Sequence, residues 1–213
     1  MTKEGSEGHF IVLEGGEGAG KSLLGARLAR RLEAAGIHTI EVREPGGTPA
    51  GEQARILLGH SLTPWAEAFA FLLARAELVN GVIKPALESG ATVLCDRFRA
   101  STVAYQGYGR GLSLKRLAEA NASATQGLVP DMTIYLDLPP EVGLRRKQGE
   151  QGGPATGREA IDFHERVREG YRQQLAQAPE GSWLEIDATQ PREVVEELAW
   201  NALVQILRIP SGK

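Results

Sequence analysis

The chain has one cysteine, Cys95, in 213 residues, so no disulfide can close within it. It also has no apolar run near the roughly 20 residues needed to cross a bilayer. Lys3, Glu4, Gly5, Glu7 and Gly8 stand where a secretion signal would be apolar, so a cytoplasmic setting is expected. Neither sign of charge dominates. Against 27 acidic residues stand 24 Lys and Arg, a net charge of -3 that gives no long-range attraction for nucleic acid or anionic membrane. Phosphate binding must then come from local clusters, and the expected ligand is small. Internal repeats, linkers and charge blocks are missing too. With 42% hydrophobic residues, the chain reads as one folded domain over 1–213, residues 1–8 being flexible.

What remains is alternation. Strand-like runs at 10–13, 37–42, 92–95, 133–138 and 183–186 are separated by helical patterns, which predicts a mostly parallel five-stranded sheet flanked by helices. Leu24, Leu28, Leu32 and Ala35 form one apolar stripe that Gly36 can end. A helix over 64–88 is expected to bend near Pro85, another follows Ser113 as its cap, and two more cover 159–178 and 191–207. Residues 148–157 hold four glycines and a proline and read as a mobile loop.

Between the first strand and first helix lies Gly15-Gly16-Glu17-Gly18-Ala19-Gly20-Lys21-Ser22, which satisfies GxxxxGK[S/T] in the strand-loop-helix setting that its mechanism requires. Glycines let successive N–H groups face one anion, and the helix adds the positive end of its dipole. Lys21 would hold the β- and γ-phosphates of ATP or GTP, and the Ser22 hydroxyl would ligate Mg²⁺. No base-reading NKxD follows, and the chain is short for an ATPase motor, so a small-molecule kinase of the P-loop fold is the leading class. A nucleotide-binding regulatory protein stays open as the alternative.

Three further segments carry a resemblance. They are Arg43-Glu44-Pro45-Gly46-Gly47-Thr48; Asp96-Arg97-Phe98 with Ser101 and Ala104-Tyr105-Gln106-Gly107; and Phe71-Leu72-Leu73-Ala74-Arg75. With the phosphate loop they are similar to the thymidylate kinase family. The resemblance implies transfer from ATP to dTMP with Mg²⁺, in a homodimer. It implies that Phe71 stacks on the thymine and Arg75, on the same helix face, bonds its edge. It gives Arg97 the acceptor phosphate, Asp96 and Ser22 the metal, and Glu17 the acceptor sugar. Glu44 and Pro45, joined by a cis bond, would line the acceptor pocket with Thr102, Tyr105 and Gln106.

The phosphate loop has no arginine, which resembles the bacterial subgroup that supplies a catalytic arginine from a lid. The lid is expected over 145–158, with Arg146 and Arg158 as catalytic candidates and Arg145 and Lys147 beside them. Here the chain departs from the family, lacking its Asp-Arg-x-Glu pattern. Phe98 for tyrosine and Leu23 for threonine are smaller departures.

Overall fold

The computed structural model describes residues 8–151 and 158–209. The elements run β1 (Phe10–Gly15), α1 (Lys21–Ala34), β2 (Thr39–Arg43), α2 (Pro49–Leu58), α3 (Pro64–Leu78), α4 (Lys84–Glu88), β3 (Thr92–Asp96), α5 (Arg99–Thr102), α6 (Leu114–Thr125), β4 (Met132–Asp137), α7 (Pro140–Gln151), α8 (Arg158–Ala176), β5 (Trp183–Asp187) and α9 (Arg192–Ile206). The five strands are parallel, in the order β2-β3-β1-β4-β5. This is the expected three-layer α/β fold of P-loop proteins.

Alternation along the strands divides the core. Ile11 and Leu13 of β1, Leu94 of β3 and Ile134 and Leu136 of β4 meet Leu24, Leu28 and Leu32 of α1 and Ala199 and Leu203 of α9. The neighbouring residues Phe10, Val12, Val93 and Cys95 point through the other face, against Leu78, Ile83, Ala86 and Phe98. On that second face, Tyr135 packs with Val167 and Tyr171 of α8. Because β1 is central and the chain crosses from β3 to β4 over it, the carboxyl ends of β1 and β3 border the crevice where such sheets bind ligands.

Several local expectations change. Ala35 is exposed and caps α1, and Gly36 follows at φ +79, a left-handed turn that glycine makes at no steric cost. The helix over 64–88 is interrupted before Pro85, which has no N–H to give the carbonyl four residues back. The chain widens there into a π-helical turn, Val79–Ile83, and the Lys84 N–H reaches the Val79 carbonyl. A second π-helical stretch, Val103–Gly109, continues α5. Helix α2 was not foreseen, although the Thr48 hydroxyl accepts the Gly51 N–H at 3.0 Å and Pro49 stands in its first turn. Residues 148–151, read as loop, continue α7 as helix; the rest of the expected mobile loop, 152–157, and residues 1–7 lie outside the described residues.

Candidate active site

Strand β1 delivers the chain to the phosphate loop and α1 takes it away. Lys21 is buried and folds back over the loop, its ammonium donating to the carbonyls of Gly15 at 3.0 Å and Gly16 at 2.8 Å. Burial and the nearby Arg97 lower the Lys21 pKa to about 8, with Asp96, Glu17 and Glu14 opposing. Gly18 stands at φ +67, and a β-carbon there would lie 2.2 Å from the carbonyl oxygen of Gly143. A β-carbon on Gly143 would in turn lie 2.1 Å from the Glu17 carbonyl oxygen. The first turn of α7 is thus seated backbone to backbone on the loop.

At the end of β3, the Ser22 hydroxyl donates to Asp96 Oδ2 at 2.5 Å, while Asp96 Oδ1 is buried without a partner among the described residues. A buried unused carboxylate oxygen calls for a ligand, and a hydroxyl beside a carboxylate suits a hard, oxygen-loving cation such as Mg²⁺. Among the described residues no group of three His, Cys, Asp or Glu converges as a complete cage. The other ligands of such an ion would be phosphate oxygens and water.

Arg97 follows at φ +74. Its Nη1 donates to the Gly15 carbonyl at 3.2 Å and the Ser101 hydroxyl at 3.2 Å; its Nη2 donates to Glu17 at 3.0 Å and the Tyr105 hydroxyl at 3.2 Å. Glu17 also accepts from Tyr105 at 3.2 Å and pairs with Lys147 at 2.6 Å. Burial pushes the Glu17 carboxyl up, but Arg97, Lys147 and Lys21 outweigh it and leave the pKa at about 2. Lys21, Ser22, Asp96, Arg97, Glu44 and Lys147 line one cavity of about 490 Å³.

On α3, Phe71 is half buried and, among the described residues, packs into none of the three core clusters. Arg75, one turn on, is 1% exposed and uses every donor within the protein. Nε bonds Glu44 at 2.9 Å, Nη1 donates to Thr102 at 2.8 Å and Asn121 at 2.5 Å, and Nη2 donates to Glu44 at 2.5 Å and the Phe98 carbonyl at 3.0 Å. The edge-bonding role expected for Arg75 therefore has no free donor behind it; this side chain ties Glu44, Thr102, Asn121 and Phe98 together. The Glu44–Pro45 bond is cis. Gln106 is buried and donates to Glu67 at 2.7 Å.

The cations expected at a lid divide. Arg146 donates to the Ala188 carbonyl at 3.0 Å and borders a second cavity of about 470 Å³ with Ala19, Leu23 and Gln190. Successive helical residues project about 100° apart, so only one of the pair 146 and 147 can face Glu17, and Lys147 does. Arg145 donates to the Glu141 carbonyl of its own helix. Arg158 opens α8; its side chain lies outside the described residues. Sequence reasoning missed Glu14, Asn121 and Tyr171. Glu14 did leave a signal, an acid closing an apolar strand run, whereas Asn121 and Tyr171 look like ordinary helix residues.

Residues 13–199 match the family described as Thymidylate kinase. The chain is 46% identical over 202 residues to a thymidylate kinase of Thermomicrobium roseum, covering 93% of this chain and 96% of that one. It is 48% identical over 197 residues to one of Synechococcus sp. (strain JA-3-3Ab), covering 91% and 94%. It is 46% identical over 202 residues to one of Deinococcus radiodurans, covering 93% and 97%. With a phosphate loop and an Asp-Arg strand end at one cavity, and matches of this length, the chain belongs to the thymidylate kinase family.

Proposed function

We propose that this chain transfers the γ-phosphoryl of ATP to dTMP, giving ADP and dTDP in the synthesis of dTTP. The observation that carries the reading is the meeting of Lys21, the Ser22–Asp96 pair and Arg97 at one cavity beside Glu44 and Tyr105. Phosphoryl transfer asks the protein for position and positive charge rather than a covalent nucleophile. An oxygen of the acceptor phosphate attacks in line as the bond between the γ-phosphorus and its bridging oxygen breaks. Lys21 exchanges its loop carbonyls for the β- and γ-phosphates, and Arg97 holds the acceptor phosphate. Ser22 and Asp96 would hold Mg²⁺, which supplies charge neutralisation along the ATP phosphates.

Phe71 offers its ring to the base, and Arg75 keeps Glu44, Thr102 and Asn121 in place around it. Lys147 is the lid cation nearest the reacting groups, while Arg146 borders the cavity beside Ala188, suited to the nucleoside end of ATP. The described part, with 1–213 acting as one kinase unit, is read as cytoplasmic; among the described residues no helix is long and apolar enough to cross a membrane. We further propose a homodimer through α3, where Trp65, Phe69 and Leu73 repeat every four residues, with Ile56 and Leu57 exposed on the adjoining α2. A Leu73→Glu variant should sediment as a monomer where the parent sediments as a dimer; a parent that is only monomeric refutes this.

The test is ADP release with Mg-ATP and dTMP, dUMP, UMP, CMP, AMP, GMP or thymidine. Preference for dTMP is expected, and Phe71→Ala should raise the KM for dTMP about tenfold or more, since base stacking contributes roughly 1–3 kcal/mol. Preference for another acceptor would refute the assignment.

A further inference from the structure

Glu14 takes no part in the chemistry above, yet its carboxylate is fully enclosed and densely bonded. It accepts the N–H groups of Phe98 at 2.9 Å and Ser101 at 3.1 Å, the Ser101 hydroxyl at 2.7 Å and the Tyr171 hydroxyl at 2.9 Å. The two N–H groups stand at the start of α5, that of Ser101 shared with the Phe98 carbonyl at 3.1 Å, so a carboxylate from a neighbouring strand caps that helix. The Phe98 N–H is held immediately after Arg97, whose positive φ is unfavourable for a side chain of its size. Glu14 thereby fixes the backbone turn that aims Arg97 inward.

The two hydroxyls fix the other end of the same residue. A hydroxyl has one proton and two lone pairs. Ser101 and Tyr171 lie 2.8 Å apart, so one hydroxyl proton goes to Glu14 and the other is shared between Glu14 and the neighbouring hydroxyl; each oxygen keeps a lone pair for Arg97 Nη1, at 3.2 Å and 3.4 Å. Burial keeps the Tyr171 phenol protonated, which suits it to donate in this way. Its position is set by its helix: Arg168 bonds both oxygens of Asp137 at 2.8 Å, Arg172 bonds one at 2.9 Å, and the Tyr171 ring stacks on Tyr135 at 5.1 Å. A residue of α8 thus reaches across the sheet face to the guanidinium at the acceptor site.

We infer that Tyr171, acting with Ser101 and Glu14, is a positioning residue that holds Arg97 toward the acceptor phosphate. The inference rests on the reading of Arg97 as the residue that binds that phosphate. Tyr171→Phe removes one oxygen and keeps the ring; Ser101→Ala is the second variant. Each should raise the KM for dTMP about tenfold, the scale of one hydrogen bond to a charged group, while the KM for ATP stays within about twofold. In the substrate-free proteins, NMR of the arginine Nη protons should show slow exchange at Arg97 in the parent and fast exchange in Tyr171→Phe. A purely structural tyrosine would lower the melting temperature and leave both readouts alone, and that result overturns the inference. A parent inactive on dTMP, with Arg97 exchange still accelerated in Tyr171→Phe, would sink the acceptor assignment and leave the relay standing.

Discussion

Replacing Asp137 with asparagine tests the anchoring of α8. Burial raises the Asp137 carboxyl, but Arg168, Tyr135 and Arg172 outweigh it and bring the pKa from the ordinary 3.8 to about 2. Its side chain is only 12% exposed, so solvent screens the pairing little. At about 1.4 kcal/mol per tenfold change in proton affinity, the ionised form contributes about 2 kcal/mol over the neutral one. Asparagine imitates the neutral form, so Asp137→Asn should cost about that much at pH 7. For a chain of this length it lowers Tm by about 4–8 °C. The sign with pH follows from the downward shift: the stability is complete above the unfolded pKa near 4 and is lost as pH falls toward 2. Thermal melts by circular dichroism at pH 7, 5, 4 and 3 should therefore show parent and variant converging at the acid end. A difference below about 1 °C at pH 7, or one that stays constant with pH, would refute the reasoning.

Lys21→Ala should reduce kcat by at least about a hundredfold with little change in Tm, since a preorganised charge at the transferring group contributes several kcal/mol; nearly normal turnover would remove Lys21 from the mechanism. The parent kcat/KM for ATP should fall as pH rises through about 8, where the free enzyme's Lys21 gives up its proton; a profile flat to pH 10 contradicts this. Arg75→Ala leaves the Glu44 carboxylate buried without its partner, and a loss of about 3–5 kcal/mol in urea unfolding is expected. A loss under 1 kcal/mol would show that the pocket walls stand without it.

The sheet and the phosphate loop were legible because their signals are local. Apolar runs mark the five strands, and a contiguous motif marks the loop. Tertiary partners were less so. Nothing in the spacing of Phe71 and Arg75 reveals that Glu44, thirty-one residues away, occupies the guanidinium. Arg146 and Lys147 are chemically alike as neighbours, and only the phase of α7 separates the cation facing Glu17 from the one facing Ala188. Tyr171 reads as one more buried residue of an amphipathic helix until α8 is laid against β1. Helix α2 did carry its signals in Thr48 and Pro49, but the surrounding glycines speak for a loop with equal force.

The contact between Gly18 and Gly143 joins two places in the chain that no motif joins. GxxxxGK[S/T] leaves position 18 free, yet any side chain there collides with a carbonyl 125 residues later, and any side chain at 143 collides with the loop. The two sites behave as one compound position. A library varied at either alone would return only glycine, and one varied at both would return replacements only where the start of α7 has been pushed off the loop. Grafting this phosphate loop onto another scaffold therefore means carrying the first turn of α7 with it.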